Sequence, residues 1–430
     1  MNLPKIVIIL FIYTFTLPVC KAQEEKSFIK KRIDALASPG FHGRGYVMNG
    51  NAIAADYIAK ELKSYGVQPI RQNGSYLQDY TFSVNTFPGK VLVEVNGKKL
   101  RPGPDYILNG ASNAWHSKKP KKMKYLNLAE IRDSISWDNV KKEIKPGSVY
   151  YLQNADTPAN HLKLGIRKFA TELPEGLFIV PKHGKLTWTA NTNQVPGTII
   201  YIEDTVLPAK PKKVLVDVDA KYIKEFNAKN VMGYVKGTEV ADSFIVFTAH
   251  FDHLGRMGKT ALFPGASDNA SGTSMVLYLA SYFAKHPQRY SIAFVLFSGE
   301  EAGLLGSEYY VSDPAFPLEQ IRFLVNLDMT GDATNGITVV NGVAHEPEFA
   351  LLQELNVDSL YATKINKRER TSNSDHYHFS KNGVPAVFIY SMGTNGHYHD
   401  VFDVAKDISL ERVDDLAHLL IKFTGRLTGE

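Results

Sequence analysis

His250, Asp252, Asp268, Glu300, Glu301, Asp328 and His399 are residues whose types could hold a cation or move a proton, and their spacing along the chain is informative. Phe244 to Ala249 is a nearly unbroken apolar run that stops at His250, Phe251, Asp252 and His253. Ile292 to Phe297 is a second such run, and Ser298 and Gly299 lead from it into Glu300 and Glu301. Phe323 to Leu327 is a third, ending at Asp328. Asp268 sits in Gly265 to Gly272, just before an apolar-periodic helix, and Ser374, Asp375, His376 and His397, Tyr398, His399, Asp400 follow downstream. Runs of this kind suit the buried strands of a parallel sheet, and in open α/β sheets ligands bind beyond the carboxyl ends of the strands. The clusters are therefore expected to meet in one crevice. One histidine at a strand end would say little. Five acid or imidazole groups at strand ends and in adjoining loops are hard to explain by packing, because buried charges need partners. Three carboxylates in one cleft repel one another unless cations sit between them. Two histidines and three carboxylates suit zinc, with one carboxylate shared between two ions about 3.5 to 4 Å apart.

The elements that must position these groups alternate in α/β fashion from about residue 230. Val231 to Val235, Phe244 to Ala249, Ile292 to Phe297, Phe323 to Leu327 and Pro385 to Tyr390 read as strands. Ser271 to Lys285, Ala302 to Val311, Glu346 to Leu360 and Leu410 to Leu427 read as helices. Two helices near the start, Ser27 to Ala37 and Ala52 to Tyr65, are expected to pack on the same sheet. The predicted fold class is thus α/β, a mixed and mostly parallel sheet flanked by helices, formed by residues 27–86 together with 230–430. Between them, 87–229 reads as an inserted, mostly β domain. Its short strands include Val91 to Val95, Gly197 to Ile202 and Val214 to Val218, with one clear helix near Ala159 to Thr171. His116, His161 and His183 fall in it singly and read as structural or exposed.

At 430 residues the chain suggests two or three domains. Met1 to Ala22 reads as a secretory signal peptide, with Lys5, an apolar run from Ile6 to Leu17, and a cleavage site formed by Cys20, Lys21 and Ala22. That run is shorter than the roughly 20 residues needed to span a bilayer, so no transmembrane segment is expected. The expected location is secreted or periplasmic. Cys20 is the only cysteine, so the mature chain would have no disulfide and its metal ligands must be imidazole and carboxylate. A lipid anchor on Cys20 is the less favoured alternative, because Val19 is bulkier than the small residue expected before it. The net charge of +5 is far from that of a nucleic-acid binder, and the run Lys118 to Lys124 reads as a solvated surface.

In combination, Thr248 to Gly255 (TAHFDHLG), Gly265 to Gly272 (GASDNASG), Ser298 to Ser307 (SGEEAGLLGS), Asn326 to Met329 (NLDM) and Tyr398 to Asp403 (YHDVFD) resemble the zinc-dependent exopeptidases of the twenty-eighth metallopeptidase family. That family includes secreted bacterial aminopeptidases and glutamate carboxypeptidase. The resemblance implies a zinc-exopeptidase fold of the phosphorylase/hydrolase-like kind and two zinc ions. It makes Asp268 the bridging carboxylate, with His250 and Asp328 completing one ion and Glu301 and His399 the other. It makes Glu300 the general base that takes the proton of an activated water and delivers it to the leaving amine. Asp252 becomes the acid that orients His250, and Tyr398 a candidate donor to the developing oxyanion, against an alternative as an aromatic wall. His253, Asp375, His376, His378 and His397 read as rim or supporting residues. The family also tends to place a cis peptide after the bridging acid, here between Asp268 and Asn269, and a protease-associated domain in the position of 87–229. The implied activity is removal of N-terminal residues from peptide substrates. The alternatives are a carboxypeptidase using Arg256, Arg368 or Arg370, a single-zinc glutaminyl cyclase, and a metal-free binding domain; oligomeric state is left open.

Overall fold

The computed structural model describes residues 13–71, 73–161 and 172–429. Most of the expected signal peptide and most of the helix expected near Ala159 to Thr171 lie outside them. Eight strands form one mixed sheet: β1 Leu77–Thr86, β2 Lys221–Val235, β3 Val240–His250, β4 Tyr290–Phe297, β5 Ile321–Leu327, β6 Ile337–Val340, β7 Ile365–Arg368 and β8 Ala386–Ser391. Their order is β1-β2-β4-β3-β5-β8-β6-β7. The central four, β4, β3, β5 and β8, run parallel; β1 and β2 pair antiparallel with their neighbours, and β6 runs antiparallel to β8 and parallel to β7.

Why these runs become central strands is visible in the alternation of their side chains. Ile245, Phe247 and Ala249 of β3, Ile292, Phe294 and Leu296 of β4, and Phe323, Val325 and Leu327 of β5 all point into one core. Phe244 and Val246, Ala293, Val295 and Phe297, and Leu324 point into another on the opposite face. A strand apolar at every position has to be covered on both sides. The first core is closed by α1 Tyr13–Leu36, α2 Gly50–Ser64, α3 Gly272–Lys285 and α7 Val413–Thr428. The second is closed by α4 Leu305–Ser312 and α6 His376–Lys381, through Tyr310 and Phe379. Helix α5, Glu346–Ser359, contributes Phe349 and Leu352 to the first. Phe294 is fully buried and stacks on Phe247 at 6.4 Å. Phe294→Ala is expected to cost about 3–5 kcal/mol in denaturant unfolding.

Two five-stranded sheets lie between β1 and β2. One orders as Tyr106–Leu108, Thr198–Glu203, Leu177–Lys182, Val149–Gln153 and Lys124–Asn127. The other is built on Val91–Val95 and Lys213–Val218. They share a core with Leu254, Met257, Ala261 and Phe263, from the short hairpin that follows β3. The chain returns to the main sheet with β2 at Lys221.

Several elements differ from expectation. Among the described residues, helix α1 already runs from Tyr13, well before the expected start at Ser27. A helix at Ser134–Glu143 was not anticipated: its apolar period is short, Trp137 and Val140 with Ile144 just beyond the end, and what starts it is the reciprocal cap between Asp133 and Ser136. Strands β6 and β7 were also missed; β7 is an edge strand of sequence INKR with no fully buried residue. Among the described residues, no helix is long and apolar enough to cross a membrane.

Candidate metal centre

Strands β4, β3 and β5 are parallel neighbours with His250 opposite Phe297 and Thr248 opposite Asn326, so their carboxyl ends lie side by side. This brings His250, the pair Glu300 and Glu301, and Asp328 to one place. Asp268 arrives from the turn before α3, held against the end of β5 because Gly272 has no side chain; a Cβ there would lie 2.4 Å from the Leu327 carbonyl oxygen. The Asp268–Asn269 peptide is cis. His399 comes from the loop after β8.

The five side chains converge as two trios. His250 Nε2 lies 3.3 Å from Asp268 Oδ1 and 3.4 Å from Asp328 Oδ1. His399 Nε2 lies 3.1 Å from Asp268 Oδ2 and 3.1 Å from Glu301 Oε2. Asp268 therefore offers one oxygen to each trio. Two donors about 2.1 Å from a tetrahedral zinc ion are separated by about 3.4 Å, close to these spacings. Asp268 Oδ2, Glu301 Oε1 and Asp328 Oδ1 are buried and make no well-formed hydrogen bond, although imidazole nitrogens crowd each of them at 2.6 to 3.4 Å; a shared cation relieves that condition. Electrostatics points the same way. Burial opposes charge on His399, but Glu301 and Asp268 outweigh it and raise its pKa to about 11. Such a cluster demands positive charge, and the donor set fits two divalent ions.

Glu300 is partly buried, with a carboxylate oxygen within 4.8 Å of donor atoms of His250 and Asp328. Burial, reinforced by Glu301, Asp375 and Asp328 and opposed by His250, pushes its carboxyl well above the usual range. Asp252 is fully buried, and burial raises its pKa to about 6. Its carboxylate accepts the Tyr46 hydroxyl at 2.6 Å and the Glu300 N–H at 3.3 Å. It lies 3.8 Å from His250 Nδ1, whose nearer neighbour is the Asp252 backbone carbonyl at 3.2 Å. Tyr398 is 46% exposed and stacks on the His399 ring at 3.9 Å. Of the two readings given for His253, rim or supporting, the structure has the supporting one: it is fully buried, with Nδ1 2.6 Å from Glu301 Oε1. Asp375 and His376 are also buried, whereas His378 and His397 are partly exposed. The three arginines considered for a C-terminal carboxylate face other groups: Arg256 donates to His42 and Lys259, Arg368 to Tyr390, and Arg370 lies over Tyr377.

Sequence reasoning missed much of the support. Ser374 donates to Asp328 at 3.0 Å and receives Asn326, which in turn receives Thr248. Asp403 accepts the N–H groups of Ser267 and Asp268, fixing the bridging turn. Arg44 is fully buried and donates to the carbonyls of Leu36, Phe251, Pro264 and Gly265 at 2.6 to 2.9 Å and of Asp268 at 3.4 Å. Trp188 meets His399 through its backbone. The sequence signal for Arg44 and Asp403 is their setting, a Gly-Arg-Gly triplet between two helices and an acid closing YHDVFD.

Residues 230–424 match the family model of peptidase family M28. Aminopeptidase YwaD of Bacillus subtilis is 29% identical over 210 residues, 45% of this chain and 43% of that protein. A probable leucine aminopeptidase of Arthroderma otae is 25% identical over 221 residues, 48% of this chain and 59% of that protein. The chain thus spans about half the length of these curated relatives. The structure of BSAP, a zinc aminopeptidase from Bacillus subtilis, superposes with a TM-score of 0.66 at 17% identity, covering 95% of both chains, which establishes a shared fold.

Proposed function

We propose, from the membership of residues 230–424 in peptidase family M28, that this protein is a secreted di-zinc aminopeptidase releasing residues from the free N-termini of peptides. The observation that carries the reading is the split of Asp268, one oxygen toward His250 and Asp328 and the other toward His399 and Glu301. In this reading Asp268 would be shared by two zinc ions, with His250 and Asp328 holding one of them and Glu301 and His399 the other. When bound, the ions supply Lewis acidity at the scissile carbonyl and make water acidic enough to lose a proton near neutral pH.

Glu300 takes that proton and returns it to the nitrogen of the leaving peptide as the C–N bond breaks. Its burial favours holding the proton between the two transfers. Asp252 steadies the Glu300 backbone N–H and, through its own backbone carbonyl, the ring of His250. Tyr398, stacked on His399 at the exposed edge, is placed by this reading as a hydrogen-bond donor to the oxygen that gains charge. Residues 87–229 act as an inserted domain beside the cleft. A single-zinc cyclase needs only one of the two trios, so the paired geometry favours the hydrolase.

The test is metal analysis joined to peptide profiling. Purified protein is expected to carry two equivalents of zinc, to lose activity on chelation and to regain it with zinc. Peptides with free N-termini are expected to be cut from that end, and N-acetylated copies to resist. Equal cleavage of both forms would sink the aminopeptidase assignment.

A further inference from the structure

Of the five proposed ligands, Asp268 and His399 lie off the strand ends, Asp268 in the turn that leads into α3 and His399 in the loop after β8. The φ of His399 is +56°, a left-handed conformation that a non-glycine residue keeps only where its surroundings over-determine it. Those surroundings come from a stretch 211 positions earlier. Trp188 accepts a hydrogen bond from His399 Nδ1 at 3.0 Å, and the Trp188 N–H donates to the His399 carbonyl at 2.9 Å. With its proton on Nδ1, the ring presents a bare Nε2 to Asp268 and Glu301. Lys185 clamps both flanks of His399, donating to the Gly396 carbonyl at 2.7 Å and pairing with Asp400 Oδ2 at 3.0 Å. Asp400 also accepts the Phe402 N–H and faces His397 Nδ1. Val401 packs on the core of the smaller sheets, so close to Gly103 that a Cβ there would lie 2.5 Å from it. The Trp188 indole is wedged against Phe263 in that same core, at 4.7 Å.

We propose that Lys185 and Trp188 are positioning residues for His399, so that the segment bearing them sets the zinc affinity of the position shared by Asp268, Glu301 and His399. The position shared by His250, Asp268 and Asp328 does not depend on that clamp. The smaller sheets are then part of the metal centre's scaffold. This inference rests on the di-zinc reading above.

The experiment is calorimetric zinc titration of the metal-stripped full chain, comparing wild type with Lys185→Met, which keeps the aliphatic stem and loses the ammonium, and with Lys185→Arg. Lys185 is partly exposed, so both variants are expected to fold with the wild-type melting temperature of the metal-free protein. Lys185→Met is expected to weaken one of the two zinc sites about 10-fold and leave the other unchanged, the scale seen when support of a ligand is removed. Lys185→Arg is expected to stay close to wild type. An unchanged isotherm for Lys185→Met, or an equal weakening of both sites, overturns the proposal while leaving the di-zinc reading intact. A wild type that binds fewer than two equivalents removes that reading and this inference with it.

Discussion

Glu300→Gln is expected to lower kcat by about 10²- to 10⁴-fold, the usual worth of a positioned general base, while zinc stoichiometry and fold stay as in wild type. The amide has nearly the volume of the carboxylate and leaves the backbone N–H that meets Asp252 in place. It cannot accept a proton from water at neutral pH. The neighbouring Glu301 keeps its contacts with His399 and His253, so the second trio persists. Steady-state kinetics on a free N-terminal peptide should therefore show the loss in kcat with KM little moved, beside unchanged zinc by elemental analysis. Turnover within about 10-fold of wild type would remove Glu300 from the role of base. Loss of zinc in the variant would instead make it a ligand, in keeping with its closeness to His250 and Asp328.

How much of this centre could be read from the chain depends on how each residue reaches it. His250, Glu300, Glu301 and Asp328 were legible because each follows an apolar run, and a run that becomes a buried parallel strand delivers its next polar residue to the cleft. The two-faced packing of β3, β4 and β5 followed from the same runs. Trp188 was not legible: it joins His399 through backbone atoms, across 211 positions, and a tryptophan in a β-rich stretch reads as core. Lys185 carries no sequence signal that would set it apart from the chain's other lysines. Tyr46 and Arg44 sit in an irregular stretch between α1 and α2 with no periodicity to assign, and their partners are set by tertiary contacts alone. His253 was read as a rim or supporting residue, with nothing in the sequence to choose between the two, and its burial against Glu301 is the supporting one. Here the glycine at position 265 leaves room for its ring, 2.4 Å from where a Cβ would be.

Arg44→Met is expected to have the largest structural effect of any single substitution considered, costing on the order of 5 kcal/mol or more and leaving little folded protein. The guanidinium is fully buried and bonds backbone carbonyls from four separate stretches: the end of α1, the turn after β3, the Pro264–Gly265 approach and the bridging turn at Asp268. Burial lowers its pKa to about 10, with Asp403, Asp268, Asp252 and Glu301 opposing the shift, so it remains a cation at neutral pH. Methionine fills much of the volume and satisfies none of the carbonyls, each of which then costs about 1–3 kcal/mol as a buried unpaired acceptor. Against a net stability of about 5–15 kcal/mol for a domain, that loss is decisive. Arg44→Lys separates charge from geometry. It keeps a cation near the acids, but a point ammonium with three donors cannot span carbonyls spread around a planar fork. The lysine variant is expected to fold with a lowered melting temperature and to recover a larger part of it on adding zinc than wild type gains, because zinc held at the proposed site would tie together the turn after β3 and the turn at Asp268, both of which Arg44 holds. A wild-type melting temperature for Arg44→Lys would show that charge alone is what the acid cluster requires at that position, and that the fan of carbonyl contacts contributes little.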